Sequence, residues 1–208
     1  MHDAVIFDCD GTLVDSETLS AEVFAELLAE LGHDADPAWI LRSFRGRQFA
    51  TSLEQLAARY GALPEDFGQR FRDRADAVYR ERLREIEGAA ALLGALHHPA
   101  CVASNAPRAK IEMCLDAAGL RRFFPGERVF SAYEVGAWKP APGLFLHAAA
   151  AMGADPARCL VVEDSEPGVL AGLAAGMRVV AIVHEEAAPW LPAGVPAIRS
   201  LAALRAHL

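Results

Sequence analysis

The chain has 208 residues, of which 53% are hydrophobic and 23% charged, and its formal net charge is −8 at pH 7. This length suits one sizeable core, or a core domain that carries a smaller insert. The acidic balance argues against a nucleic-acid partner, which would need a basic face to neutralise phosphates. No stretch approaches the roughly 18 apolar residues of a membrane span, and no secretory signal pattern is found. We therefore predict a cytoplasmic protein, a monomer or homodimer, for which small anionic substrates remain open, given local positive charge.

Short apolar or β-branched runs recur along the chain, and each is followed by a turn signal or a helix-like segment. They predict strands at 4–7, 100–103, 129–130, 160–162 and 179–183. Strands that alternate with helices form a parallel sheet that is covered on both faces. The predicted fold class is therefore α/β, with a Rossmann-like, doubly wound core.

About ninety residues without a strand pattern separate the first two strands. Apolar spacing within this stretch predicts helices over 21–31, from Pro37 onward, over 52–60 and over 67–86. We predict a helical-bundle cap domain over 16–87, inserted into a core domain formed by 1–15 and 88–208. Two linkers at one edge would let this insert close on the core as a lid.

The tail is predicted to hold a surface loop with Trp190, which could pack on the core or mark an interface, and a final helix over 200–208. The cysteines show no CxxC pairing and are predicted to be buried, reduced thiols. They are Cys9, Cys101, Cys114 and Cys159. Of the 20 basic residues only Lys110 and Lys139 are lysines, which raises the question of why position 139 kept a compact point charge.

Four polar segments follow the predicted core strands. They are Asp8-Cys9-Asp10-Gly11-Thr12, Ser104-Asn105, Lys139-Pro140 and Glu163-Asp164-Ser165. The carboxyl ends of parallel strands meet at one edge of a sheet, where ligands bind. Two carboxylates at the tip of a hydrophobic strand need a charge partner, because desolvating an unpaired carboxylate costs several kcal/mol. A bound cation is the natural partner.

In this order, and with Gly168 downstream, the four segments resemble the haloacid dehalogenase superfamily of phosphatases over essentially the whole chain. The insert is similar to the helical cap of that superfamily. The resemblance implies that Asp8 is the nucleophile and forms an aspartyl-phosphate, while Asp10 acts first as general acid and then as general base. Ser104 would hold a phosphoryl oxygen, and Lys139 would balance the negative charge.

The resemblance also implies a backbone cradle and a metal. The amides of Asn105 and of the turn at Gly11 and Thr12 would bind the phosphoryl group. Mg²⁺ would be held by the side chain of Asp8, the backbone carbonyl of Asp10 and the carboxylate of Asp164, with Glu163 in support. Few protein ligands and several waters suit this ion.

Residues of the insert that face the core should determine which leaving group is accepted. Arg45, Gly46 and Arg47 form a loop between two predicted helices, and arginine can bind a carboxylate or hydroxyls bidentately. Both arginines could instead pair with acids of the insert. Ser16 and Glu17 could touch the substrate or only cap a helix.

The segment 130–140, above all Trp138 directly before the lysine, is similar to the 6-phosphogluconate phosphatase branch. That similarity implies a phosphorylated sugar acid or a related sugar phosphate as substrate. Two alternatives stay open: a mutase of the β-phosphoglucomutase type, which would share the core residues, and a non-catalytic binding module with the same fold. A dehalogenase has no use for a metal or a second acid, so Asp10 and Asp164 count against it.

Overall fold

A parallel sheet of six strands forms the centre of the protein. The computed structural model describes residues 2–45, 47–184 and 188–208. The strand order is β3-β2-β1-β4-β5-β6, and every pair of neighbours is parallel. The strands are β1 (Ala4–Phe7), β2 (Ala100–Ser104), β3 (Val129–Ser131), β4 (Cys159–Glu163), β5 (Arg178–Ile182) and β6 (Ala197–Ile198). The predicted α/β fold class is confirmed.

The central strands are hydrophobic up to their last residues, Ser104 of β2 and Glu163 of β4, because both faces of the sheet are covered. Every residue of β1, β2 and β4 is buried. Val5 and Phe7 belong to the hydrophobic cluster on one face, and Ala4 and Ile6 to the cluster on the other. Phe7, the last residue of β1, pairs with Val102 and Val162, so β1, β2 and β4 end within two residues of one another. Whatever follows them lies at one edge of the sheet.

Five helices pack around the sheet. They are α5 (Ala89–Ala95), α6 (Arg108–Ala117), α7 (Ala132–Val135), α8 (Gly143–Ala151) and α9 (Glu166–Ala174). Short 3-10 helices occupy Arg121–Phe123, Gly126–Arg128, Pro156–Arg158 and Leu201–His207. The last of these lies where the sequence predicted a helix over 200–208.

Four further helices lie between β1 and β2, in the stretch that the sequence assigned to the insert. They are α1 (Ser16–Glu30), α2 (Pro37–Phe44), α3 (Phe49–Tyr60) and α4 (Phe67–Arg82). Phe24 of α1 stacks on Phe71 of α4 with 3.9 Å between ring centroids, at the centre of an aromatic cluster. Asp36 accepts hydrogen bonds from the amides of Ala38 and Trp39, which fixes the start of α2.

The two chain segments that connect this helical stretch to the sheet run beside each other. Val14 forms an antiparallel bridge with Glu85, the Asp15 amide donates to the Arg84 carbonyl at 3.1 Å, and the Ile86 amide donates to the Leu13 carbonyl at 2.8 Å. The pairing explains why α4 ends at Arg82 rather than continuing to position 86. The division into core and cap domains stays a prediction.

Several smaller expectations have clear outcomes. All four cysteines are buried and free, as predicted. Trp190 packs against the hydrophobic cluster on one face of the sheet, so the packing alternative for it is correct. Among the helices of the described residues, none is both long and apolar enough to cross a membrane.

Candidate active site

The turn after β1 places two carboxylates at the edge of the sheet. The Asp8 amide donates to the Val162 carbonyl of β4, and the Gly11 amide donates to the Val14 carbonyl at 2.8 Å. Gly11 has a φ of 79°, and a Cβ at this position would lie 2.2 Å from Asp164 Oδ2. Only glycine combines this backbone conformation with so close an approach. The turn and the Asp164 carboxylate are therefore packed against each other.

Lys139 lies between two buried carboxylates. Its Nζ is 2.5 Å from Asp8 Oδ1 and 2.6 Å from Glu163 Oε1, and the lysine is only 4% exposed. Arginine would present a planar fork where this site needs one point charge with tetrahedral donors. The geometry thus answers the question of why this position kept a lysine.

Glu163 has both carboxylate oxygens engaged. Oε1 accepts from Lys139, while Oε2 accepts from the Asp164 amide at 3.0 Å, the Ser165 amide at 3.0 Å and the Ser165 hydroxyl at 2.8 Å. A Cβ on Gly168 would lie 1.8 Å from Glu163 Oε1, which explains the glycine downstream of this segment. Glu163 therefore positions Lys139 and the loop after β4, and its contacts leave it at most an indirect link to a metal.

Ser104 and Asn105 lie at the end of β2, as the sequence predicted. Ser104 Oγ accepts from the Ala106 amide at 3.1 Å. The Asn105 side chain accepts from the Lys139 amide at 2.9 Å and donates to the Lys139 carbonyl at 3.3 Å. This pair of bonds fixes the backbone of the lysine relative to β2. The contacts of the Asn105 side chain thus serve positioning, which the sequence did not reveal.

Asp164 meets the helical insert as well as the sheet. The Thr12 hydroxyl donates to its Oδ1 at 3.4 Å. Arg45 Nε lies 3.7 Å from Asp164 Oδ2 and 2.9 Å from Glu17 Oε2. Arg45, predicted to contact substrate, therefore pairs with acids from both sides of the site. The pairing with Glu17 matches the alternative that the sequence left open, pairing with an acid of the insert, while Arg45 also lines the cavity and its contact with substrate stays a prediction.

Asp10 is held by two donors. Ser16, the first residue of α1, donates to Asp10 Oδ1, and Lys110 Nζ of α6 lies 2.9 Å from the same oxygen. Lys110 was not among the predicted site residues. The signal was nevertheless in the composition, since Lys110 is the other of the two lysines.

The carboxylates differ in their electrostatic surroundings. Burial raises the pKa of Asp8 to about 8; Lys139 opposes this shift, while Glu163 and Asp10 add to it. Burial and the neighbouring acids Glu17, Glu163 and Asp8 raise the pKa of Asp164 well above its usual value. Burial also raises the pKa of Asp10, but the Lys110 ammonium and the Ser16 hydrogen bond outweigh it, so this pKa is lowered. The edge of the sheet thus carries more negative charge than its own cations neutralise.

Within the described ranges, no group of three or more histidine, cysteine, aspartate or glutamate side chains is arranged to hold a metal ion. Two of the four residues predicted for the metal, Asp8 and Glu163, share the Lys139 ammonium. Asp164 lies beside them with one oxygen, Oδ2, that is buried and receives no hydrogen bond. The side chains predicted for the metal are therefore neighbours, with Asp164 Oδ2 as the available donor.

A cavity of about 460 Å³ opens between the sheet edge and helices α1–α4. Asp8, Asp10, Ser104, Asn105 and Lys139 line its sheet end. Its helical end includes exposed arginines and an aromatic and aliphatic wall, with Arg45, Arg47, Arg72, Arg80, Phe24, Phe44 and Phe49 among the lining residues. Gly46, predicted with Arg45 and Arg47, lies outside the described residues. The cavity joins the predicted chemical groups to the predicted recognition loop.

Two further contacts were not anticipated. His184 Nε2 donates to the Gly11 carbonyl at 2.7 Å, which ties the segment after β5 to the turn after β1. Tyr133 is 57% exposed and packs edge-on against Trp138, with ring centroids 5.6 Å apart, beside the cavity. The His184 contact has no local sequence signal, because it depends on how distant segments meet.

The family model for haloacid dehalogenase-like hydrolases matches residues 2–176. The chain belongs to this family. It is 35% identical over 179 residues to the 6-phosphogluconate phosphatase of Escherichia coli K12, a match that covers 85% of this chain and 80% of that protein. It is 33% identical over 183 residues to hexitol phosphatase A of the same organism, covering 85% and 81%. These matches confirm the predicted enzyme class, a phosphoric monoester hydrolase of the haloacid dehalogenase-like family.

A solved structure agrees with this placement. A haloacid dehalogenase family hydrolase from Deinococcus radiodurans, with bound phosphate and sodium, superposes with a TM-score of 0.82 at 35% identity. The alignment covers 99% of this chain and 94% of that one. The fold of this family member is therefore shared over nearly the whole length of both chains.

Proposed function

We propose that this haloacid dehalogenase-like hydrolase is a magnesium-dependent phosphatase that hydrolyses a small phosphorylated metabolite through an aspartyl-phosphate on Asp8. The substrate is a sugar phosphate or sugar-acid phosphate, with 6-phosphogluconate as the leading candidate. One observation carries the proposal: Asp8, Asp10, Ser104 and Lys139 meet at one end of a cavity whose other end holds arginines.

The first half-reaction transfers the phosphoryl group to Asp8. Its carboxylate attacks phosphorus, the bond from phosphorus to the ester oxygen breaks, and Asp10 gives a proton to the departing alkoxide. In the second half-reaction Asp10 takes a proton from a water that attacks the aspartyl-phosphate. Asp8 and inorganic phosphate are released, and Asp10 is protonated again. Each half-reaction is easier than a direct displacement by water.

The phosphoryl oxygens bind donors at the ends of β1 and β2. The Ser104 hydroxyl and the amides of Asn105 and Thr12 supply hydrogen bonds. The Gly11 amide, also predicted for this cradle, already donates to the Val14 carbonyl and only shapes the turn. Lys139 supplies positive charge where negative charge develops, and its contact with Asp8 keeps it beside the reacting atoms. Glu163 and Asn105 hold this lysine from its two ends, so it needs little reorganisation during the reaction.

The donor set fits a magnesium ion. Asp164 Oδ2 is buried without a hydrogen bond, and burial together with three neighbouring acids raises the pKa of this carboxyl, so a cation bound beside it would relieve both costs. Asp8, the Asp10 carbonyl and Asp164 would hold the ion, with Glu163 acting through Lys139 and the loop. When bound, magnesium neutralises phosphoryl charge and orients the group for in-line attack.

The helical end of the cavity favours an anionic or polyhydroxylated substrate. Arg47, Arg72 and Arg80 are exposed and line that end. A carboxylate or hydroxyls at the far end of a phosphorylated sugar acid would meet these guanidinium groups. The relative named 6-phosphogluconate phosphatase supports this class of substrate, and the hexitol phosphatase supports the wider class of sugar phosphates.

The mutase alternative receives less support. A mutase must hold a bisphosphate while the intermediate turns around, which requires strong phosphate donors on the insert. His33 is the single histidine or lysine between positions 14 and 87. It contacts the ring of Tyr60, with centroids 5.4 Å apart, and is not among the residues that line the cavity.

The test is phosphate release from a panel of sugar phosphates and phosphorylated acids, including 6-phosphogluconate, with magnesium and again with a chelator. We expect metal-dependent release, led by a sugar-acid phosphate. An Asp8→Asn variant run beside the wild type controls for contaminating phosphatases. Release led by another compound would discard the substrate but keep the reaction, while no release from any ester would overturn the proposal.

Metal binding has a readout that does not depend on activity. We expect magnesium to raise the melting temperature of the wild type, because a ligand that binds only the folded state stabilises it. An Asp164→Asn variant should lose this shift. An equal shift in both proteins would remove Asp164 from the metal site.

A further inference from the structure

Lys110 is the one lysine that the phosphatase proposal leaves without a role. It lies on α6, six residues after Ser104, and its Nζ is 2.9 Å from Asp10 Oδ1. Its side chain is 30% exposed, and both Lys110 and Asp10 line the cavity. A purely structural ion pair could lie anywhere in the fold, whereas this one lies in the wall of the cavity.

The two oxygens of Asp10 are treated differently. Oδ1 receives both donors, the Ser16 hydroxyl from α1 and the Lys110 ammonium from α6. Within the part of the chain that the structure describes, Oδ2 receives no hydrogen bond. Two donors, one from α1 and one from α6, restrict the rotation of the carboxyl group. Oδ2 is left without a donor, in a residue that lines the cavity where a leaving oxygen would arrive.

Lys110 is itself held in place. Its Nζ lies 5.6 Å from the centre of the Tyr79 ring of α4, and the Tyr79 hydroxyl is 2.5 Å from Ser20 Oγ of α1. The face of an aromatic ring attracts a cation, so the ring restricts the ammonium to the Asp10 side. The lysine thus joins a residue of the sheet edge to two helices of the insert.

We propose that Lys110 is a positioning residue for Asp10, fixing Oδ1 so that Oδ2 is aimed at the oxygen of the leaving group. This inference rests on the proposed function, because it gives Asp10 the task of protonating that oxygen. Proton transfer needs the donor within hydrogen-bond reach of the acceptor and aligned with it. A carboxyl group that rotates freely would meet this requirement for only part of the time.

Comparing two leaving groups distinguishes a positioning role of Lys110 from a purely structural one. A sugar alkoxide is a strong base and cannot depart without a proton, whereas p-nitrophenolate is a stable anion and departs without one. Loss of Asp10 positioning should therefore slow hydrolysis of a sugar phosphate far more than hydrolysis of p-nitrophenyl phosphate. General damage to the fold would slow both reactions alike.

The experiment compares Lys110→Met, Lys110→Arg and wild type on both esters, with 6-phosphogluconate or the best ester of the panel as the sugar phosphate. For Lys110→Met we expect kcat on the sugar phosphate to fall about 100-fold, and on p-nitrophenyl phosphate by less than about threefold. KM should stay within about twofold of wild type for both. Lys110→Arg keeps a cation and should recover part of the loss.

A double variant tests whether Lys110 acts through Asp10. Once Asp10→Asn has removed the acid, adding Lys110→Met should cause no further loss on the sugar phosphate. Arg122→Met is the matched control, since it removes a cation from an aromatic ring, that of Phe123, outside the cavity. This control should leave both activities unchanged.

Several results would overturn the inference. Equal losses on the two esters would make Lys110 a structural residue, and a raised KM for the sugar phosphate alone would make it a substrate contact. Additive losses in the double variant would show that it acts independently of Asp10. Failure of the proposed function looks different, because the wild type would then hydrolyse neither ester.

Discussion

The charged side chains at the two ends of the cavity differ in how deeply they are buried and how they are paired. At the sheet end, charged side chains are buried and paired with one another, and Lys139 lies between Asp8 and Glu163 at 2.5 and 2.6 Å. At the helical end, Arg47 and Arg72 are exposed to solvent. The groups proposed to make and break bonds are thus fixed by charged neighbours. The arginines proposed to recognise the rest of the substrate are held less tightly, since Arg72 contacts the face of the Phe49 ring at 5.2 Å and is otherwise exposed.

The largest effect should come from Asp8, the proposed nucleophile. Asp8→Asn keeps the shape of the side chain but removes the attacking oxygen charge, so we expect kcat to fall by at least about three orders of magnitude. Steady-state phosphate release measures this loss. Circular dichroism should show an unchanged fold. Unchanged hydrolysis would contradict the covalent mechanism.

Removing a buried cation should cost far more than removing an exposed one. Lys139→Met leaves Asp8 and Glu163 without their shared partner and should destabilise the fold by about 3–5 kcal/mol. The matched variant is Arg82→Met, whose 2.7 Å ion pair with Glu22 is about half exposed. We expect it to cost less than about 1 kcal/mol.

Denaturant unfolding of both variants measures the difference. Similar losses for Lys139→Met and Arg82→Met would mean that burial does not distinguish these two ion pairs in their contribution to stability. Phosphatase activity provides a second contrast. It should be lost in Lys139→Met and retained in Arg82→Met.

Packing against Glu163 can be tested through a glycine. In Gly168→Ala the new methyl group would collide with the Glu163 carboxylate, 1.8 Å away, and we expect a loss of about 1–3 kcal/mol together with reduced activity. Gly94→Ala on α5 is the control, because its nearest neighbour lies 4.0 Å away. Since alanine favours helix, this control should match or slightly exceed the stability of the wild type.

The smallest effect should come from the exposed end. Arg47→Ala should raise KM for a carboxylated sugar phosphate about tenfold, and for a neutral sugar phosphate much less, because one charge-assisted hydrogen bond is lost. Arg42→Ala removes an exposed arginine of α2 that does not line this cavity. It should leave both KM values unchanged. Equal effects of Arg47→Ala on both substrates would remove it from recognition.

Much of the sheet could be predicted because its strands are short, continuous and apolar. The five longer strands have that pattern, whereas β6 has only two residues, Ala197 and Ile198, and gives no periodic signal. The sequence predicts a helix that ends at position 86, four residues beyond the observed end of α4 at Arg82. Its stop depends on the bridge between Val14 and Glu85, a contact between positions far apart in the sequence.

Contacts between positions far apart in the sequence also limited the prediction of the candidate site. The sequence placed Asp8, Asp10, Ser104 and Lys139 together at the carboxyl edge of the sheet, and the four line one cavity, while their roles stay predictions. Lys110 could not be placed, because its role depends on which face of α6 meets the turn after β1. The tasks of Glu163 and Asn105 were also hidden, since both act on Lys139 across long sequence separations.

The bridge between Val14 and Glu85 has a consequence for how this protein could change over evolution. The chain leaves the sheet and returns to it at one point, and the two connecting segments are hydrogen-bonded to each other there. A segment whose ends already touch can be lengthened or replaced at little cost in chain entropy. We expect that the helices between these two residues can be exchanged for those of a relative with a different substrate, leaving the catalytic edge of the sheet intact.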